Sequence, residues 1–408
     1  MKNKTSKLQK KKNNKFINLF DRVFKSNEIK YSIRETIILM IIVFGLGLII
    51  GGIIIYKKSN NKTILNEFVT TYDEIVNNYY QKINENELLE AGISGMIKYL
   101  GDPYSTYMNK IDAENFNEDV DGTYQGIGAE IKYNESNLPS IGEVFKNTPA
   151  MRVGLKENDI ILKVNDIEVK DKSLSDIADI IKGKSGTKVN ITILRDNVEK
   201  KLTIERAVVD NISVYNEVIN TNNKKIGYIY ISIFASNTTK QFKENLEKLE
   251  KEKIDSLIID VRGNTGGYLT TVTDIISMFT KKGDIIYKLK TKDKNEDIVD
   301  KTIEYRNYPV VILADSGSAS ASELLIGAFR ETYNSKIIGE RTYGKGKVQK
   351  VFTLSSGALF KYTYQEWLTP KGNYIDGVGI TPDIEVKYKY ISDNKDSQKN
   401  MAIEVLCK

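Results

Sequence analysis

No histidine occurs anywhere in the 408 residues, and there is a single cysteine. The first absence excludes Ser-His-Asp and Cys-His catalysis, and with them every histidine-ligated zinc site. The second excludes an intramolecular disulfide and cysteine-rich metal centres. A hydrolase of this composition must take its base from Lys, Asp, Glu or Tyr. Cys407 is the penultimate residue, and a loose tail, residues 391–408, is expected there. Excess positive charge is also missing where a nucleic acid would need it. Residues 1–35 hold eleven Lys and Arg against three acids, a local +8 against a total of +6, so the other 373 residues sum to −2. A basic tail on a near-neutral body does not read as a nucleic-acid binder.

Residues 36–56, TIILMIIVFGLGLIIGGIIIY, hold no charge. About twenty such residues suffice to cross a hydrocarbon core of roughly 30 Å. The run is longer than the apolar region of a cleaved signal peptide and is followed by Lys57-Lys58-Ser59-Asn60-Asn61 without an Ala-x-Ala site. An uncleaved signal anchor is therefore expected. The basic flank 1–35 would stay cytoplasmic and residues 59–408 would lie outside. Gly47 and Gly51 make a GxxxG pair, which chance explains in so glycine-rich a span.

Leu65, Phe68, Val69, Tyr72 and Ile75 recur at helical spacing, as do Leu88, Leu89, Ile93, Met96, Ile97 and Leu100. Residues 62–100 thus read as helical, with a stop at Gly101-Asp102-Pro103, within a helical N-terminal part of the body taken as 62–117. From 118 to 208 short β-rich runs alternate with turns around one helix near Leu174 to Ile181. From 209 to 390 strands and helices alternate, which predicts an α/β core with helices covering a sheet.

Three stretches invite a chemical reading. Gly339 to Lys345 fits the first seven positions of a phosphate loop, but the eighth is Gly346, so no hydroxyl reaches a magnesium ion. The run KVQKVFTL that follows alternates like a strand. Ser185-Gly-Thr-Lys188 spells SxxK but sits in a turn before a strand. Ser316-Gly-Ser318-Ala-Ser320-Ala-Ser322-Glu323 ends a strand and opens a helix. Ser320 and Glu323 make a capping box there, yet a serine at a helix N-terminus is also placed where backbone N–H groups stabilise developing negative charge. The motif alone leaves both readings open.

Gly126-Ile127-Gly128-Ala129, Thr148-Pro149-Ala150 through Gly154-Leu155, and Asp159-Ile160-Ile161 together resemble a PDZ domain of the bacterial protease-associated kind. The resemblance implies that residues 126–129 receive a peptide carboxylate while the peptide adds to a sheet edge. Gly317-Ser-Ala-Ser320-Ala-Ser-Glu323, then Thr342-Tyr-Gly344-Lys345-Gly346-Lys-Val-Gln349, resemble the carboxyl-terminal processing (tail-specific) protease family. So do Asp260-Val-Arg262-Gly-Asn-Thr-Gly266-Gly267, with Thr265 where proline is usual, Gly101-Asp102-Pro103-Tyr-Ser105-Thr-Tyr107, here without a histidine, and Thr369-Pro370-x-Gly372 with Gly379-Ile380-Thr-Pro382-Asp383. The likeness runs from about 65 to 388 in family order.

The resemblance implies a crotonase-like α/β protease core with an inserted PDZ domain. It implies Ser320 as nucleophile, Lys345 as general base and Gln349 as the residue that orients the lysine. An oxyanion hole would be formed by backbone N–H groups of Ala321 and of Gly266 or Gly267. Neither metal nor other cofactor is called for. Substrates would be proteins with exposed C-termini, with a homo-oligomer or a regulatory partner as further possibilities. Two competing readings are a non-catalytic membrane-tethered PDZ scaffold and a dedicated signalling protease.

Overall fold

The structure, a computed structural model, describes residues 33–60, 62–221, 224–292, 294–392 and 395–408. Most of the basic segment 1–35 lies outside them. The chain divides into two compact units, Met1–Ala91 and Gly92–Lys408.

In the first unit a helix runs Ile33–Asn60, and from Ile37 to Ile50 its described side chains are mostly exposed and apolar. Among the described residues no helix is long and apolar enough to cross a membrane, so the crossing expected at 36–56 rests on the sequence alone. The expected helical segment is two helices, Lys62–Asn78 and Glu85–Lys98. The break has a local cause. Asn84 Oδ1 accepts the Asn86 and Glu87 amides and its side chain donates to Glu87 Oε1, so Asn84 caps a new helix.

The larger unit is built on a six-stranded sheet in the order Val214–Thr221, Lys224–Ile231, Ser256–Asp260, Val310–Ala314, Lys336–Gly339, Ile384–Glu385. All neighbours are parallel except the first pair. The central runs SLIID and VVILA are buried at every position, as a parallel sheet covered on both faces requires. Leu257, Ile259, Val310 and Ile312 face the helices Thr238–Lys251, Leu269–Ser277 and Ala321–Thr332. Ile258, Val311 and Leu313 face the other way, onto Ala402 and Leu406 of the helix Ser397–Cys407.

That last helix corrects an expectation. Residues 391–408 are not a loose tail, because Ser397–Cys407 covers one face of the sheet, with Gln398 and Ala402 fully buried. Asp396 caps the helix through the Gln398 and Lys399 amides and pairs with Arg262.

A second sheet joins Leu359–Leu368 to Lys347–Thr353, to the hairpin Ile285–Lys290 and Asn295–Val299, and to the short strand Thr106–Met108. The β-rich insertion has its own core and a sheet in the order Ala129–Tyr133, Pro139–Val144, Ile160–Val164, Lys188–Arg195, Val198–Glu205. Its helix is Leu174–Ile181, as the sequence predicts. The strands Thr123–Gly126 and Ala207–Asp210 pair where the chain enters and leaves it.

Candidate active site

Three loops leave the carboxyl ends of three adjacent parallel strands, the place where open α/β sheets present ligand sites. Ser256–Asp260 leads to Gly266 and Gly267, Val310–Ala314 to Ser320, and Lys336–Gly339 to Lys345. Side chains of the loops tie them together. Ser318 Oγ donates to the Val261 carbonyl at 2.8 Å, and Ser322 Oγ donates to the Asn264 carbonyl at 2.7 Å. Both serines are fully buried. Ser320, between them, is half-buried and its hydroxyl makes no such bond to the loops. The serines of the motif are therefore not equivalent: Ser318 and Ser322 are structural, whereas the Ser320 hydroxyl ties no loops together among the described residues.

The backbone of Ser320 separates the two readings of that motif. An ordinary N-cap sits in the extended region. Ser320 has φ 56° and ψ −114°, a combination costly for a residue with a Cβ, on the order of 1–3 kcal/mol. The return half of the capping box is firm, with Glu323 Oε2 accepting the Ser320 amide at 2.9 Å. The serine half is looser: a box contact is present, but no strict side-chain capping bond reaches Ser320 Oγ.

Glu323 does more than cap. It is fully buried, and its Oε1 accepts from the Thr342 hydroxyl at 2.5 Å and the Gly344 amide at 2.7 Å. Its Oε2 accepts the amides of both Ser320 and Lys345, the latter at 2.8 Å. One carboxylate oxygen thus holds the backbones of the two candidate residues side by side. The sequence presented Glu323 only as a cap, because three of its four donors arrive from residues 342–345.

Lys345 is held at its carbonyl by Trp367 Nε1 at 3.1 Å, and its ammonium lies 4.9 Å from the centroid of the Tyr104 ring. Among the described residues it has no carboxylate in ion-pair contact. Burial pushes its pKa below the ordinary lysine value, and the nearby Lys361 pushes it further, against the pull of Asp102 and Glu323. Tyr104 was not singled out from the sequence. It reaches the site because Thr106–Met108 pairs with Leu359–Leu368, putting Thr106 opposite Lys361. Ser105 fixes that approach, accepting the Thr363 amide at 3.1 Å and donating to Asp102 Oδ2 at 2.5 Å.

Gln349 is not seen hydrogen-bonded to the lysine it was expected to orient. Its amide nitrogen donates to Thr363 Oγ1 at 3.3 Å, and the Thr363 hydroxyl also lies against Asp102. Of the two glycines, Gly266 donates its amide to Asn264 Oδ1 at 2.9 Å, whereas among the described residues the Gly267 and Ala321 amides enter no loop or cap hydrogen bond. Gly266 has φ 109°, and a Cβ on it would come within 2.9 Å of Ser320 Cβ. Gly267 has φ 142°, and a Cβ there would overlap the Phe234 carbonyl. Glycine is demanded at both by close approach as well as by φ.

The loop Gly126-Ile127-Gly128-Ala129 lies at one end of a groove between the edge strand Ala129–Tyr133 and the helix Leu174–Ile181. The Gly128 amide faces the Tyr124 hydroxyl, and the Gly128 carbonyl accepts from Phe145 N at 3.0 Å and Thr148 Oγ1 at 3.1 Å. A side chain at Gly128 would collide with Thr148, so that glycine serves the insertion's own packing too.

The comparisons agree with this anatomy. Peptidase family S41 matches residues 225–386, a PDZ domain matches 140–195, and the activating protease CtpB N-terminal domain matches 55–112. The carboxy-terminal processing protease CtpB of Bacillus subtilis is 36% identical over 332 residues, covering 81% of this chain and 69% of that protein. A protein of Staphylococcus haemolyticus described as a CtpA-like serine protease is 38% identical over 328 residues, covering 79% of this chain and 65% of its own length. A structure from Bacteroides fragilis assigned to the S41 proteases superposes with TM-score 0.50 at 16% identity, covering 81% of this chain and 91% of that one, which is a likeness of fold. With a PDZ domain set into an S41 protease fold and the two curated relatives above the level at which kinship is in question, the chain belongs to the S41 family of serine carboxyl-terminal processing peptidases.

Proposed function

We propose that this chain is a membrane-tethered endopeptidase that cleaves protein substrates near their C-termini with a Ser320–Lys345 dyad. One observation carries the reading: a strained serine shares a buried carboxylate tether with a lysine that, among the described residues, has no acid of its own in ion-pair contact. Burial and the nearby Lys361 lower the pKa of Lys345, which favours its acting as a proton acceptor.

In the proposed chemistry, neutral Lys345 Nζ takes the proton from Ser320 Oγ as the oxygen attacks the scissile carbonyl. The oxyanion is held by the N–H groups of Gly267 and Ala321, which enter no loop or cap hydrogen bond among the described residues. Collapse expels the amine, which receives the proton from the Lys345 ammonium, and Ser320 carries the acyl group. Lys345 then deprotonates water, which attacks the ester. The second collapse returns the proton to Ser320 and frees the new carboxyl terminus. Gln349 acts at one remove, by fixing Thr363 against Asp102. The core that carries these loops is of the crotonase-like type.

Residues 36–56 hold the body at the membrane, with the basic segment 1–35 in the cytoplasm and the catalytic body outside. The PDZ groove receives the substrate's terminus and delivers the chain upstream of it. The whole reading is tested with full-length protein in detergent, unfolded protein substrates and mass analysis of the products. Wild type is expected to shorten substrates from the carboxyl end, and Ser320→Ala to leave them intact. Absence of cleavage by wild type would favour the non-catalytic scaffold, and cleavage of a single partner only would favour a signalling protease.

A further inference from the structure

The groove of the PDZ domain has more to say about its occupant than that it ends in a carboxylate. Among the described residues the edge strand Ala129–Tyr133 pairs on one side only, with Pro139–Val144, so its other side offers a row of backbone groups to an added strand. The cavity along that edge measures about 740 Å³. Its floor near the 126–129 loop is apolar, from Ile127, Ile131, Phe145, Ala178 and Ile181. The edge and the cavity define the site. Charge then selects what fills it.

Five carboxylates line the groove, those of Glu118, Asp119, Glu130, Glu143 and Asp179, against the single ammonium of Lys182. None of the five appears in an ion pair among the described residues, although sixteen such pairs are formed elsewhere. Glu118 is held by Gln125 Nε2 at 2.7 Å, a neutral donor. Glu130 and Glu143 stand on adjacent strands, and a Cβ on Gly142 would meet Glu130 Oε2 at 3.0 Å. Like charges on neighbouring strands cost stability unless a cation answers them. Both bear on Tyr215 at the same wall of the groove, whose hydroxyl is raised in pKa first by burial and then by these two carboxylates. The terminal carboxylate of an ordinary tail brings a further negative charge into this field.

We propose that the PDZ groove selects C-terminal tails that end in apolar residues and carry Lys or Arg within the few residues upstream. This rests on the reading that the groove takes substrate termini. The apolar end fills the floor beside Ile127 and Ile181, and the basic residues meet Glu130 and Glu143 as the tail pairs along Ala129–Tyr133.

Fluorescence anisotropy on full-length Ser320→Ala protein in detergent tests it, with labelled peptides that share an apolar end. One carries two lysines upstream, one two glutamates, and one is the lysine peptide with an amidated C-terminus. The lysine peptide is expected to bind roughly tenfold more tightly than the glutamate peptide, and the gap to shrink in high salt. Glu130→Gln with Glu143→Gln should remove most of that gap while carboxylate-dependent binding persists. Amidation should weaken binding. Equal affinities for the lysine and glutamate peptides, with amidation still harmful, would overturn the selection by charge and leave tail recognition standing. If amidation has no effect or no peptide binds, tail recognition fails and the inference fails with it.

Discussion

A buried lysine and a half-buried one in this chain have the same kind of aromatic neighbour and opposite electrical surroundings. Lys399 places its ammonium 4.0 Å from the Tyr228 ring centroid and 2.6 Å from Glu217 Oε1. Around it the buried charges are answered. Arg262 pairs with Asp260 and Asp396 and hydrogen-bonds Gln398, and its guanidinium lies over Tyr388. Lys345 stands 4.9 Å from the Tyr104 centroid with no ion pair among the described residues. The first cluster binds the helix Ser397–Cys407 to the sheet. The second is left electrically incomplete beside a strained serine. That contrast is consistent with the chemistry proposed for the cleft.

The sharpest break between the two regions comes from replacing the lysine or serine of the cleft. Ser320→Ala and Lys345→Arg should each lower kcat/KM by more than about 10³-fold, and the double variant should be no worse than either alone. Melting transitions should stay near wild type. Arginine keeps the charge but cannot serve as a base at accessible pH. Peptide-cleavage kinetics beside calorimetry checks both halves, and an active Lys345→Arg would remove the dyad.

The paired cluster should answer in stability instead. Arg262→Ala leaves two buried carboxylates without their cation and should cost about 3–5 kcal/mol in denaturant unfolding. The protein that remains folded should keep its kcat. A large loss of kcat in folded Arg262→Ala would mean that the two regions are not separate.

A smaller effect concerns pH. Lys361 approaches Lys345 from the paired strand and, after burial, is the second cause of its lowered pKa. Lys361→Gln should move the rising limb of the pH–rate profile upward by less than about one unit and slow the reaction at neutral pH. The linkage has the matching sign. Native Lys345 gives up its proton more readily than the unfolded residue, so between its folded pKa and its unfolded value the unfolded chain binds more protons, and stability rises with pH. Lys345→Met should abolish that part of the stability profile.

Least affected should be Gln349→Ala. Its hydrogen bond goes to Thr363, not to the lysine, so kcat should fall by roughly tenfold or less with KM little changed. A loss as large as that of Lys345→Arg would restore the direct orienting role.

Much of this was legible in the residues. The helix Leu174–Ile181, the strand before Ser316 and the helix from Ala321 follow from local pattern, and the cleft motifs lie in order along the chain. What escaped depends on contacts far apart in sequence. Tyr104 meets Lys345 through strand pairing across some 250 residues, which no periodicity announces. Glu323 looked like a cap because its nearest donor is local, while the donors that make it a tether come from residues 342–345. The closing helix was missed although Asp396 is a good N-cap and Ala402 and Leu406 are four residues apart. Its charged flanks disguised an apolar stripe that only the sheet makes useful.

The central claim, that Ser320 is activated by a neutral Lys345, is tested most directly by kcat/KM against pH on one peptide substrate. The account predicts a rise governed by a single ionisation below the ordinary lysine value of 10.5, absent from Lys345→Arg together with the activity. A Lys345→Arg protein that cleaves the same bond with the wild-type profile would contradict it.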